Sequence, residues 1–370
     1  MIYVFYSNDP LAQDQGGGAE HFRGLHRALK RSGLPFKLVG ARLQPHADDP
    51  RVDYVSTGSN FLLFWLGLWR WFWENGHHIG RHDVLHFHRN YAAWPKIFLA
   101  PRRGRIVISY HNVTGKVIEG KLGRLSEPLR HVMLWFERHV ASRADAIVCV
   151  SARDRQVLSR IVEHEPFARA HVIPAAFDGD LFAQRTTAPP PPDLACKLVV
   201  LGRISHQKNI PLAVSTLEQL VSRGVDATLT IAGDGEDARD LVRRIAQSFA
   251  RDRIRWLGRV PHDQVPELLA AHGVLLVTSR YEASPTVVKE AIRASRPVVT
   301  TDVGDVALWI EPGCNGFICG TTPSSLADGA EAAIALVRDQ RYRVGSKLDQ
   351  LDETAIMQRM LGLYQRLAAG

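Results

Sequence analysis

The chain is poor in cysteine. Its 370 residues include four, Cys149, Cys196, Cys314 and Cys319, with no CxxC spacing, and two of these lie in apolar strand-like runs. This usage excludes a disulfide framework and fits a reduced, cytoplasmic protein. Long apolar runs are also missing. The longest, 61–73 (FLLFWLGLWRWFW), has 13 residues and contains Arg70, too short and too charged to span a bilayer. No signal peptide is expected, because the first residues run straight into a strand without a basic n-region or a cleavage site. No metal centre is expected either: His86 and His88 share a strand face in DVLHFH, but no third ligand stands at a recognisable spacing. A compact nucleic-acid recognition motif is lacking, since the basic residues scatter through 102–105, 116–130 and 138–160.

What the chain does have is length, a charge asymmetry and one aromatic segment. A chain of 370 residues exceeds one ordinary core, so two domains are expected. Residues 1–185 carry 25 Lys and Arg against 17 Asp and Glu, whereas 186–370 carry 21 of each, so the whole net charge of +8 belongs to the first half. Thirteen of the sixteen histidines lie there too. A basic half suits an anionic partner: a phosphate-bearing acceptor or an anionic lipid surface ahead of nucleic acid. In the 61–73 segment Trp65, Trp69 and Trp73 recur every four residues, giving a helix an aromatic face. Two readings stand for it, a buried helix of the N-terminal core and an aromatic helix resting on a membrane surface.

Apolar strand-like runs alternate with amphipathic helical segments from end to end. In the first half the expected strands are 2–7, 36–40, 52–56, 83–88, 105–111, 146–151 and 171–174. After the proline run 186–194 (TTAPPPPDL) they restart at 197–202, 227–232, 254–257, 274–278, 297–301 and 316–319. Alternating β and α with continuously apolar strands predicts two parallel, doubly wound Rossmann-like α/β domains facing across a cleft. The expected division is 1–185, a linker at 186–194, 195–352, and a C-terminal helix over 353–370 that crosses back to the first domain. In such sheets ligands gather at the carboxyl ends of the strands, which directs attention to the residues just after each strand.

Several of those residues carry chemistry. Glu282 and Glu290 stand with seven residues between them, spanning a loop with Ser284 and Pro285 and a helix that opens near Pro285–Thr286. Free N–H groups and the positive dipole end at such a helix start suit an anionic diphosphate. Glu290, about two turns into the helix, can accept two sugar hydroxyls. Arg203 and Lys208 follow the 197–202 strand on one short loop and can clamp a diphosphate, the Arg as a fork and the Lys as a point charge. Gly16, Gly17 and Gly18 follow the first strand and open a helix, allowing backbone to approach phosphate closely or simply forming a flexible turn. His111, in Tyr110-His111-Asn112, is well placed at a strand end to meet a reacting sugar, and a structural histidine is the competing reading. Asp178 and Asp180 form a DGD triplet in a loop before the proline run and are read as structural.

Together these motifs carry a resemblance. The glycine triplet, DVLHFH, YHN, VSARD, VIPAAFDGDLF, LGRISHQKN, IAGDGE, WLGRV and EASPTVVKEAIRASRPVVTTDVGDV followed by GCNGF occur in an order that resembles family 4 of the retaining, GT-B-fold glycosyltransferases over nearly the whole chain. The resemblance implies that Arg203 and Lys208 hold the nucleotide diphosphate and assist its departure, that Glu290 binds the ribose, and that Glu282 contacts the donor sugar. The amides around Ser284, Pro285, Thr286 and Val287 would complete the donor pocket, with Gly16, Gly17 and Gly18 approaching from the other domain. His111 would lie beside the forming bond, with Asn112, Ser151, His86 and His88 as acceptor or cleft contacts. It implies no metal and no other cofactor.

The same resemblance implies transfer of a hexosyl or N-acetylhexosaminyl group from a UDP-sugar first, or a GDP-sugar second. The acceptor expected is a saccharide, lipid-linked and met at the cytoplasmic membrane face, in assembly of a cell-surface polysaccharide or glycan. A soluble small-molecule acceptor, a nucleotide-sugar epimerase on the same architecture, and an inactive glycan-binding partner subunit stand as alternatives. The chain departs from the family pattern at Ala175-Ala176, where relatives carry Asn-Gly, and lacks the glycine common after the first Glu, having Ala283 there. Acceptor geometry and donor sugar selection are the features these departures touch.

Overall fold

The computed structural model describes residues 1–11, 17–45, 48–58, 60–99, 103–111, 127–162, 169–185, 188–347, 350 and 353–370. The chain divides into two compact units, one formed by Met1–Ala175 with Thr354–Gly370 and the other by Ala176–Glu353. The division falls ahead of the proline run in which sequence reading set it. The reason is packing: Phe177 and Phe182 are fully buried in the core of the second unit beside Leu269, Val288 and Ile292. The proline run, of which Thr186 and Thr187 lie outside the described residues, continues inside that unit, where Ala188 accepts a hydrogen bond from Arg296 Nη1 at 2.8 Å.

In the first unit β1 (Ile2–Tyr6), β2 (Phe36–Arg42), β3 (Val52–Thr57), β4 (Val84–Phe87), β5 (Arg105–Tyr110), β6 (Ala146–Cys149) and β7 (Ala170–Val172) form one sheet in the order β3-β2-β1-β4-β5-β6-β7. In the second, β8 (Lys197–Leu201), β9 (Thr228–Ala232), β10 (Ile254–Trp256), β11 (Val274–Val277), β12 (Val298–Thr301) and β13 (Gly316–Cys319) form the order β10-β9-β8-β11-β12-β13. Every pairing in both sheets is parallel. Each strand expected from the sequence forms; the central strands are apolar runs buried on both faces, whereas the edge strands β3, β7 and β10 are only partly buried. In each sheet the strand order reverses once, at β1 and β4 and again at β8 and β11. The loops leaving those strands are where a doubly wound sheet opens to a ligand.

The helix Phe61–Asn75 is partly core. Its stripe Phe64, Leu68, Trp71 and Phe72 is buried at helical spacing. The helix lies close on β3: a Cβ on Gly67 would come within 1.9 Å of the Val55 carbonyl oxygen, so only glycine fits there. Trp71 Nε1 donates to Asp53 Oδ2 at 2.8 Å, which satisfies the one polar atom this ring brings into the core. Trp65 and Trp69 are half-buried at its side, and Leu62, Leu66 and Trp73 are exposed on the opposite face. Among the described residues no helix is long and apolar enough to cross a membrane.

The last helix, Glu353–Ala369, belongs with the first unit although it follows the second in sequence. Tyr364 is the anchor. It is buried, and its hydroxyl meets His86 Nδ1 at 2.5 Å.

Candidate functional site

In the second unit the reversal of strand order brings the loop after β8 beside the loop after β11. Lys208 Nζ, from the first loop, lies 2.7 Å from Glu282 Oε1, from the second. Glu282 is held from two more sides. Ser279 Oγ donates to Oε1 at 2.7 Å and Gln207 Nε2 donates to Oε2 at 3.2 Å. The carboxylate is buried, whereas the Lys208 side chain keeps 22% exposure, so its ammonium is fixed in direction and open to a second anion. Arg203 is exposed on the same loop.

Two glycines make this arrangement possible. Gly202 has φ 141°, and Gly233, at the end of β9, has φ 150°. A Cβ on Gly233 would stand 1.8 Å from the Gly202 carbonyl oxygen, so the β8 and β9 ends approach as closely as they do only without side chains.

The helix Thr286–Arg293 follows Glu282 directly. Pro285 is its N-cap, and no side chain caps its first amides. Thr286 and Val287 therefore offer backbone N–H groups at the positive end of the helix, the arrangement that receives a phosphate. Glu290, on this largely buried helix, has its Oε1 3.4 Å from His262 Nε2. Ser284 is fixed from within: its hydroxyl donates to Asp305 Oδ2 at 2.7 Å and accepts from Lys289 Nζ at 2.6 Å. Lys289 is fully buried and ion-paired with Asp305 at 3.4 Å. Burial pushes the Lys289 ammonium below its ordinary range, and Asp305 opposes that shift. This buried pair pins the loop that carries Glu282 and Ser284.

Sequence reasoning passed over Gln207, Ser279, His262, Lys289 and Asp305. The signal was present for one of them: Lys289 directly precedes Glu290 on a helix buried from Thr286 to Ile292, and a buried lysine needs a counter-ion. The others come close only through the sheet order.

In the first unit the candidates form a stack of imidazoles. His88 Nδ1 lies 2.9 Å from His111 Nε2, because β4 and β5 are neighbours and both residues follow their strand ends. The His86 ring lies 4.4 Å from that of His88, centroid to centroid. Its Nε2 is 2.6 Å from Ser109 Oγ, and Tyr364 holds its other nitrogen. His86 thus stands behind His88, which stands behind His111, and only His111 keeps some exposure. Burial pushes His86 down to about 3 and takes His88 and His111 well below the usual histidine range, so the stack is neutral at physiological pH.

Ser151 caps the helix Ala152–Ile161 by accepting from the Asp154 N–H at 3.0 Å, which commits its oxygen locally. Gly17 and Gly18 open the helix Gly17–Ser32, while Gly16 and Asn112 lie outside the described residues. Asp178 Oδ1 accepts from the Leu181 N–H at 3.1 Å at the start of the helix Gly179–Arg185, a capping contact. Among the described residues no group of three or more His, Cys, Asp or Glu side chains is arranged to hold a metal ion.

Comparison with known proteins agrees with this architecture. Residues 15–181 match Glycosyltransferase Family 4, and residues 191–352 match Glycosyl transferases group 1. The chain is similar to the alpha-D-kanosaminyltransferase of Streptomyces kanamyceticus, 29% identical over 227 residues, a match that covers 60% of this chain and 57% of that protein. Among solved structures it is similar to a sucrose-phosphate synthase from Thermosynechococcus elongatus, with TM-score 0.79 and 19% identity over 100% of this chain and 99% of that one. It is also similar to Anabaena HepE in complex with UDP-glucose, with TM-score 0.65 and 18% identity over 100% and 98% of the two chains. The chain belongs to the GT-B glycosyltransferases, with a family 4 N-terminal domain followed by a group 1 C-terminal domain.

Proposed function

We propose that the chain is a retaining glycosyltransferase that moves a sugar from a nucleotide-diphosphate sugar to a saccharide acceptor. UDP-sugar is the first choice of donor and GDP-sugar the second. The observation that carries this reading is the meeting of Lys208 and Glu282 beside an uncapped helix start followed by a buried Glu290. A cation aimed at one anion site, free amides at another and a carboxylate one to two turns on match the three parts of a nucleotide-diphosphate sugar. The UDP-glucose complex of a fold neighbour supports UDP as the nucleotide.

Retention without a dedicated carboxylate nucleophile implies a front-face reaction. The acceptor hydroxyl attacks from the side on which the nucleotide leaves, forming the new glycosidic bond as the anomeric carbon–phosphate bond breaks. The departing diphosphate takes the hydroxyl proton. Arg203 and Lys208 stabilise the charge that grows on the diphosphate, and Glu282 keeps Lys208 aimed. A neutral His111, at the strand ends of the first unit, would exchange hydrogen bonds with sugar hydroxyls without adding charge. The reaction proceeds without a metal. The acceptor is lipid-linked and met at the cytoplasmic face of the membrane, with the protein peripheral there, during assembly of a cell-surface polysaccharide or glycan.

The test is a transfer assay with a panel of UDP- and GDP-sugars and lipid-linked saccharide acceptors, with the product anomer read by NMR. Product with the donor's anomeric configuration, formed equally in EDTA, supports the reading. An inverted product, or equilibration of free donor to its epimer, overturns it.

A further inference from the structure

We infer that the outer face of the helices Phe61–Asn75, Trp94–Leu99 and Glu127–Arg143 is a docking surface for the anionic leaflet of a lipid bilayer. The inference deepens the peripheral half of the reading above and does not depend on the chemistry.

The first observation is exposure. On the helix Phe61–Asn75 the stripe Phe64, Leu68, Trp71 and Phe72 accounts for its packing, yet the opposite face is also apolar. Leu62 is 58% exposed, Leu66 52% and Trp73 89%. Isolated exposed apolar side chains are ordinary, but an extended face of them is not.

The second is continuity. Trp65 meets Trp69 at 5.1 Å on the same helix and Trp94 at 6.5 Å on the next. Trp94 stacks on Phe136 at 4.6 Å, and Phe98 joins Phe136 at 5.7 Å and Trp135 at 6.5 Å. One aromatic chain thus links three helices, and its far end, Phe98 and Trp135, is exposed again.

The third is charge. Arg70 and Trp73 stand three residues apart on one helix, and Trp135 and Arg138 repeat the pair on another; all four are exposed. Residues three apart share a face, so each outward tryptophan has an arginine beside it, although Arg70 Nε also donates to the exposed Glu74 Oε1 at 2.7 Å, which offsets part of its charge. Arg103 is exposed as well, and the whole net charge of +8 lies within residues 1–185. A second copy seated on this face about a two-fold axis would set these arginines against their own images, whereas an anionic surface complements them. Tryptophan and arginine are the side chains that rest at headgroup level, the ring in the acyl boundary and the guanidinium among phosphates.

The test is flotation of the full chain with phosphatidylcholine vesicles with and without phosphatidylglycerol. The expected result is binding to the phosphatidylglycerol vesicles, weakened at least tenfold in Trp73→Ser/Trp135→Ser and again in Arg70→Glu/Arg138→Glu. All four positions are exposed, so both variants should fold; their thermal unfolding and nucleotide binding provide the control. Absence of wild-type binding, or binding unchanged in both variants, overturns the inference. So does a dimer that Trp73→Ser/Trp135→Ser dissolves, which would make the face an interface between copies. Nucleotide binding that persists when vesicle binding fails would separate this failure from failure of the transferase reading.

Discussion

Lys208 Nζ and Glu282 Oε1 lie 2.7 Å apart, joining the loops that leave β8 and β11. The pair is partly buried, and its carboxylate is also held by Ser279 and Gln207, so the geometry is over-determined. Lys208→Ala should lower turnover by about 10²- to 10³-fold with a smaller change in nucleotide affinity, because in the proposed reaction its charge acts most on the departing diphosphate. Steady-state kinetics with a fixed acceptor checks this. Unchanged turnover would contradict the role.

Glu282→Gln should act on the same step by a different route. It keeps the shape of the loop and removes the charge that aims Lys208, so turnover should fall by about tenfold or more while unfolding temperature changes little. A parallel measurement of kcat and of thermal unfolding separates the two effects.

Removing one member of the buried Lys289 and Asp305 pair leaves the other charge uncompensated. Lys289→Met should cost about 3–5 kcal/mol of stability, and adding Asp305→Asn should recover part of it. Urea unfolding of the single and double variants is the measurement. Because the pair pins Ser284, the single variant should also bind nucleotide more weakly.

The imidazole stack sets a pH dependence. His86 is held near 3 when folded, against 6.5 for an ordinary histidine, so below pH 6.5 the unfolded chain takes up a proton that the folded chain refuses. The stability this group contributes is present in full above pH 6.5. It is lost as pH falls from there toward 3, at up to about 1.4 kcal/mol per pH unit for each such histidine. His88 and His111 shift in the same direction and steepen the loss. Thermal unfolding between pH 7.5 and 5 should show this slope, and Tyr364→Phe should lower stability without reversing it.

The fold was legible because both sheets are parallel and doubly covered. The central strands read as apolar runs, and Pro, Gly and polar residues punctuate the alternation. The compact units divide ahead of the proline run because Phe177 and Phe182 pack in the second core, a contact that composition does not signal. Of the candidate site, Arg203, Lys208, Glu282 and Glu290 were legible from strand ends, one helix start and motif order. Gln207, Ser279 and Asp305 were not, since their contacts arise from which strands are neighbours. The aromatic segment at 61–73 was ambiguous for a physical reason: a helix apolar on all sides has no pattern to say which face turns inward. The structure divides it, with Trp71 buried and Trp73 exposed two residues later.

The proposed nucleotide-diphosphate recognition by the second unit is tested most directly by thermal unfolding with UDP, GDP, ADP and dTDP. A ligand at 100 times its dissociation constant adds about 2.7 kcal/mol of stability. The expected result is stabilisation by one of these nucleotides, UDP first, that is lost in Glu290→Ala and kept in His111→Ala. Stabilisation by none of them, or a shift that survives Glu290→Ala unchanged, would contradict it.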